Sequence, residues 1–551
     1  MVTSAGFIAV AFLGLSTAQV ELPGTSSVSV FFQDPAVCNG CHGGFDEDAT
    51  AYPTWAGSAM AHAARDPLFL SALVEAEKDY PGAGDYCLRC HAPAAWMEGR
   101  CFPTDGSALT DSDGGVTCSS CHRMTPSTWQ RNGQYLVADD IYMRGPIMDP
   151  QAPHRVEFSD WFSDGRMCGS CHDLRNPLVE RLDLDGNPTG QPFPEQTTFT
   201  EWATSAYAAE GETCQDCHMP PDEGRVAMSG PVRPDRSSHA FAGGNAFLLG
   251  AVAFLRSDLD LSTELVRGQT RVGAMLRTAA DLALEAGPDV VGRGDVVDLT
   301  FRITNLTGHK LPTGYPEGRR VWLEVAAPAV GVVRGAYDAE GGEPVDPVVT
   351  YASIQGRSGV GPGHRLVLND TIYFDNRIPP RGFVVTATTA PVGKVYPEVS
   401  PGVLAHWDDL TVTATIPCDF AGDTIEVDAR LWYQSVTKRY VEALVADNGA
   451  DPRGSTLDVV FEETDPGPAL MAELDVTLTV DPASTCDPPD AGFVDAGTRD
   501  GGGTRDGGFA DAGVAPPDEE GGCGCTADSG GSEGTLGLLL LGLLVLRRRS
   551  S

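Results

Sequence analysis

The sequence predicts a multidomain chain: a mostly α-helical and irregular N-terminal half packed around covalently held groups, then a β-sandwich, a flexible stalk and a short apolar C-terminal segment. Three observations predict it. Five Cys-x-x-Cys-His pentapeptides lie between residues 38 and 218. Apolar and polar residues alternate with period two over roughly 290–480. Asp, Gly, Ala and Pro fill 487–522. With 551 residues the chain can bury two or three cores. A formal net charge of -38 argues against a nucleic-acid partner, the one basic cluster being Arg547-Arg548-Arg549.

The first segment, 1–19, reads as a secretory signal peptide. Phe7 to Leu15 is apolar, and Ser16-Thr17-Ala18 offers small residues for cleavage, although no Lys or Arg precedes the apolar run.

The second segment, 31–249, carries the pentapeptides. They are Cys38-Asn39-Gly40-Cys41-His42, Cys87-Leu88-Arg89-Cys90-His91, Cys118-Ser119-Ser120-Cys121-His122, Cys168-Gly169-Ser170-Cys171-His172 and Cys214-Gln215-Asp216-Cys217-His218. Two thiols three positions apart reach the two vinyl groups of one haem and form thioethers. The following His then lies under the iron and ligates it. Structural zinc is the main rival, but zinc knuckles do not require His after every second Cys. A redox Cys-x-x-Cys does not recur five times in one chain. The reading is five covalent haem c groups, and motifs this close in sequence lead us to expect a stack of haems within electron-transfer reach.

The sixth ligand decides what such irons do. With two protein ligands an iron passes electrons; with one it leaves a site for a small molecule. Eleven His less five leaves His62, His154, His239, His309, His364 and His406. His62 precedes a helix start at Asp66-Pro67, where Asp caps and Pro is the first helical residue. His154 lies in a Pro-rich loop before Cys168. His239 precedes Gly243-Gly244, where backbone can approach a flat ring. His309 projects from a Gly- and Pro-bounded loop, Thr307 to Gly314, and suits a ligand lent by a neighbouring domain. His364, in Pro362-Gly363-His364, completes the candidate metal ligands, and His406 reads as structural. Met60, Met143, Met148, Met219 and Met228 read as packing residues.

With these residues in view, the stretch 31–249 resembles the multihaem cytochrome c superfamily that includes tetrahaem cytochrome c and hydroxylamine-oxidoreductase-like proteins. The five motifs, Cys214 to Pro220, and Ser238-His239-Ala240-Phe241-Ala242-Gly243-Gly244-Asn245 carry the likeness. The resemblance implies a distal haem ligand at His239.

Residues 250–288 read as a helical connector: Leu265, Val272, Met275, Leu276, Ala279 and Leu282 follow helical spacing, and Gly287-Pro288 stops the run. Residues 289–486 read as an Ig-like β-sandwich, with alternation at Val297–Ile303, Val412–Ile416, Ile425–Leu431 and Val476–Val480. Cys418 and Cys486 flank its end and suit a disulfide in an oxidising compartment, which leaves Cys101 unpaired. Residues 487–522 read as a flexible acidic stalk. Residues 523–551 resemble the sorting signal of myxobacterial surface proteins: Cys523-Gly524-Cys525, a Leu-rich run from Leu536 to Leu546, then three arginines. Eleven apolar residues at ~1.5 Å each fall short of a ~30 Å hydrocarbon core.

The leading functional expectation is an exported electron-transfer cytochrome, periplasmic or on the outer cell surface and attached through its C-terminal segment. Its partners would be redox proteins or an extracellular electron donor or acceptor. The alternative is a multihaem oxidoreductase in which one open-site haem reduces or oxidises a small nitrogen or sulfur compound. The third reading is an adhesin-like surface protein with haems as structural mass.

Overall fold

In the N-terminal half, short helices form wherever a capping residue precedes a motif. In the computed structural model, residues 32–486 are described except 47–48, 129–130 and 465–466. The expected signal peptide, stalk and sorting segment lie outside the described residues. Helix α1 (Pro35–His42) starts at Asp34, whose carboxylate accepts from Ala36 N, with Pro35 at the first position. Helix α2 (Pro67–Asp79) repeats the device with Asp66 and Pro67. Helix α3 (Gly84–His91) ends at the second motif. Helix α4 (Cys118–His122) is a single motif turn held by a capping box, Thr117 with Ser120. Helix α5 (Gly165–Gly169) runs into the fourth motif, and Asp164 caps it.

Next comes a hairpin that the sequence does not announce: β1 (Leu174–Leu182) and β2 (Pro188–Gln196). Helix α6 (Thr198–Ala203) and the fifth motif turn, α7 (Cys214–His218), follow. Helices α8 (Leu248–Leu255) and α9 (Ser262–Arg277) complete the helical part. Helix α9 lies backbone to backbone on the loop at Gly57. A Cβ on Gly268 would sit 1.9 Å from Gly57 O, so only glycine permits this approach.

The connector departs from expectation. Residues 280–286 form a strand, β3 (Ala280–Ala286), not the end of a helix. Leu276, Ala279 and Leu282 match a helical period, but Ala280, Leu282 and Leu284 match a period of two equally well. Pairing with β5 decides the outcome.

Beyond it run β4 (Val290–Val291), β5 (Val296–Asn305), β6 (Arg320–Ala327), β7 (Val332–Arg334), β8 (Ser353–Arg357), β9 (Gly361–Pro362), β10 (Thr371–Asp375), β11 (Trp407–Thr415) and β12 (Thr424–Gln434). Then come helices α10 (Lys438–Asn448) and α11 (Pro452–Thr464), and strand β13 (Ala469–Val480). One sheet has the order β4-β13-β12-β6-β7, with Thr350–Tyr351 also on β6; a second has β11-β5-β3. Their alternating apolar faces meet in one core that includes Val297, Phe301, Val321, Leu323, Val427 and Leu431. Cys418 and Cys486 are disulfide-bonded beside it.

The third sheet, β9-β8-β10-β1-β2, takes strands from both halves of the chain. Strand β10 pairs in parallel with β1 at Thr371 and Leu182. The described residues therefore belong to one compact unit, and the boundary expected between 249 and 289 does not separate two bodies. Among the described residues, no helix is long and apolar enough to cross a membrane.

Candidate functional site: five Cys-x-x-Cys-His turns

Each motif folds as, or runs out of, a helical turn, so its two cysteines share a face and its His follows at the end. The imidazoles are then oriented from behind by main chain. His42 Nδ1 donates to Val226 O at 2.9 Å, His91 Nδ1 to Ala63 O at 3.0 Å, His122 Nδ1 to Arg144 O at 2.6 Å and His218 Nδ1 to Ala242 O at 2.6 Å. A carbonyl oxygen only accepts, so the proton sits on Nδ1 and each Nε2 keeps its lone pair for a metal.

Three of the spare histidines are held the same way. His154 Nδ1 lies 3.2 Å from Arg155 O, His239 Nδ1 3.2 Å from Ser237 O, and His309 Nδ1 3.1 Å from Lys310 O. Each faces one motif. Ring centroids are 6.4 Å apart for His42 and His154, 6.1 Å for His122 and His239, and 6.4 Å for His218 and His309. Two metal–imidazole bonds of ~2 Å, plus ~1 Å from each nitrogen to its ring centre, put the centroids of two axial imidazoles about 6 Å apart. The donor set and spacing fit one iron between each pair. Burial pushes His239 and His309 down to about 4, with the facing His122 and His218 adding to it. Both rings are therefore neutral, the ligating form, at physiological pH.

The His309 loop is fixed by buried charges. Lys310 is fully buried and its Nζ donates to Asp375 Oδ2 at 2.7 Å. Arg377 donates to Asp375 through Nε at 2.8 Å and lies 3.1 Å from Glu201 on α6. Glu201 accepts from Lys310 N and from Thr313 Oγ1. Burial alone would raise the Glu201 carboxyl, but Arg377 and Lys310 hold it below its usual range. Two acids and two bases thus close a neutral network that pins residues 310–313 to the helix before motif five.

Motifs two and four differ. The His91 ring lies flat against Phe69 of α2, 3.7 Å between centroids and 5° between planes. His172 is exposed in surface terms, yet desolvation, with His218, His91 and Arg319, pushes it down to about 4. Cysteines of different motifs also meet: Cys38 with Cys118, Cys90 with Cys171, and Cys168 with Cys214. They are free thiols, not disulfides.

Two expected ligands do not join the site. His62 is 1% exposed, its Nε2 donates to Ala56 O at 2.8 Å, and Arg65 lies against its Nδ1 at 3.3 Å. Ser58 caps a short turn at 59–62 that folds the ring back on the preceding helix. His364 directs Nε2 at Asp447, 3.0 Å away. His406 stands edge-on to Trp407. Sequence reasoning did not find Phe69 or the carbonyl acceptors, since an apolar residue and a backbone oxygen carry no motif. Cys101 is buried in the apolar cluster around Leu88 and Trp96, and burial pushes its thiol up to about 12. It is a packing residue.

Glu195 on β2 is 2% exposed, its Oε2 has no hydrogen-bond partner, and burial pushes it up to about 8 from 4.5. A carboxyl raised in the fold favours folding while protonated and loses that contribution as pH rises from the unfolded value through about 8. Stability is therefore expected to fall from about pH 5 to pH 8, and Glu195→Gln to flatten part of that fall in thermal melts at the two pH values, with Glu75 and Glu317 contributing the rest.

No protein-family model matches the chain, and neither does any curated protein. Among solved structures, a penta-heme cytochrome c552 from Thermochromatium tepidum is similar at 18% identity and a TM-score of 0.46, over 81% of this chain and 99% of that one. AvmM, which catalyses macrocyclization in alchivemycin A biosynthesis, matches at 10% identity and a TM-score of 0.15, over 39% and 93%. At such scores nothing is transferred from either protein, and the residues themselves carry the functional reading.

Proposed function

We propose that this protein is an exported electron-transfer cytochrome with five covalent haem c groups. Cys38 and Cys41, Cys87 and Cys90, Cys118 and Cys121, Cys168 and Cys171, and Cys214 and Cys217 would form the thioethers. His42, His91, His122, His172 and His218 would be the proximal ligands. His154, His239 and His309 would close the coordination of motifs one, three and five. Bound haem supplies an iron that gains and loses one electron. The chain's part is to orient imidazoles, exclude water and keep neighbouring motifs close. The observation that carries the reading is the set of three facing imidazole pairs, each ring with Nδ1 tied to main chain and Nε2 bare. A zinc site would need at least one further thiol, imidazole or carboxylate converging on the same point. The cysteine meetings link motif one to three, two to four and four to five, which suits electron passage between neighbours.

A second reading rests on a separate observation. His62 and His364 commit Nε2 elsewhere and His406 packs edge-on against Trp407, so no spare imidazole is seen facing motif two or motif four. An iron there without a sixth protein ligand would bind a small nitrogen or sulfur compound, as the oxidoreductase alternative requires. We further propose attachment at the cell surface through residues 523–551, with redox proteins or an extracellular donor or acceptor as partners.

Mass spectrometry after expression with haem-ligation machinery is expected to show five additions of ~616 Da to the mature chain. No added mass, or zinc in place of iron, would end the haem reading. Spin-state analysis then separates the two forms of it: wholly low-spin iron excludes the open site at rest, and a high-spin fraction that binds nitrite or cyanide supports it.

A further inference from the structure

Outside the motifs, a buried oxygen of Glu75 lacks a hydrogen-bond partner. Glu75 lies on α2 with its side chain only 5% exposed, and the oxygen is Oε1. That oxygen faces His364, whose Nε2 lies 3.6 Å away. On its other side the same nitrogen is 3.0 Å from Asp447 Oδ2 at the end of α10. One imidazole nitrogen and one oxygen from each acid all fall within 4.8 Å of one another. We propose that Glu75, His364 and Asp447 form a zinc site.

The spacing suits zinc. Bonds of ~2.0–2.1 Å in a tetrahedral arrangement separate donor atoms by about 3.3 Å, between the two contacts seen here. One imidazole and two carboxylates are a borderline donor set, and three protein ligands leave the fourth position to water. Calcium takes 6–8 oxygen ligands and is poorly served by this set. The charges around the site also favour a cation. Asp79 stands beside Glu75 with its own buried Oδ2 unpartnered. The single nearby guanidinium, Arg365, binds Asp79 Oδ1 and, at 3.1 Å, Asp447 Oδ1. It lies 3.8 Å from Glu75 and leaves Asp447 Oδ2 to face His364. Lys78 is spent on the carbonyls of Asp447 and Asn448. Three acids thus meet one guanidinium. Asp447 and His364 remain 27% and 22% exposed, which gives the ion a way in.

Such an ion would tie α2, which carries Phe69 against His91, to α10 and to the loop after β9. It is independent of the haem ligands, since His364 faces none of the motif histidines. The test uses the purified haem-bearing protein, in which thioethers remove the motif cysteines from competition. After chelator treatment, zinc chloride is titrated in by calorimetry, and retained metal is measured by elemental analysis after dialysis. One tight zinc per chain is expected, with affinity at least tenfold weaker in Glu75→Gln and in Asp447→Asn. In His364→Ala, uptake should be lost while the haem spectrum stays that of the wild type. Glu75→Gln keeps the shape of the side chain, and an unchanged haem spectrum and circular dichroism would verify its fold. No uptake by the wild type, equal uptake by a folded Glu75→Gln, or a preference for calcium would each overturn the site.

Discussion

In His309→Ala, the haem proposed at motif five is expected to turn high-spin, because its iron would lose the imidazole facing His218. The change should be close to complete at that site and absent at the others, since His42 and His122 keep their own partners. Optical and electron paramagnetic resonance spectra of the oxidised protein read it directly, and added imidazole should restore the low-spin form. A spectrum indistinguishable from wild type would reject the pairing across the chain. His62→Ala is the control: its Nε2 is already committed to Ala56 O, so the spectrum should not move.

The second large effect is expected at Asp375. Its carboxylate takes Lys310 Nζ and Arg377 Nε, both buried. Asp375→Asn keeps the shape and removes the charge, leaving two cations against Glu201 alone. Breaking a buried pair from one side costs about 3–5 kcal/mol. Denaturant titration should show the unfolding free energy lower by that amount, read as an earlier midpoint with little change in slope. Because the same network holds residues 310–313, the fifth haem should also become partly high-spin. A loss of stability with no spectral change would mean that the network supports the sheet but not the ligand loop.

Local signals were readable in the sequence, and long-range ones were not. The motifs themselves and the helix start at Asp66-Pro67 are short-range features that nearby residues determine. So are the alternating strands around Phe301 and Leu431. The sequence also pointed to His154, His239 and His309 as ligand candidates, but not to the motif each faces, because that depends on contacts between 91 and 117 positions apart. His62 looked equally suitable, yet the direction of a ring in a tight turn follows from which carbonyl is within reach. The β1–β2 hairpin stayed hidden because Pro177, Pro188, Pro192 and Pro194 argue against a strand. It survives through its partners: its register slips repeatedly, and β10 seals only one residue pair along β1. Lys310 gave no hint of a core position, because a lysine is buried only where distant acids meet it.

The sheet shared by both halves has a consequence for how the chain is made. Strands β1 and β2 leave the ribosome well before residues 353–375, which complete their layer. Throughout that interval the region bearing motifs four and five is an unfinished body with an open strand edge. His309 emerges within the same window. A nascent chain halted near residue 290 would hold all five Cys-x-x-Cys-His motifs and yet be unable to close around the last of them.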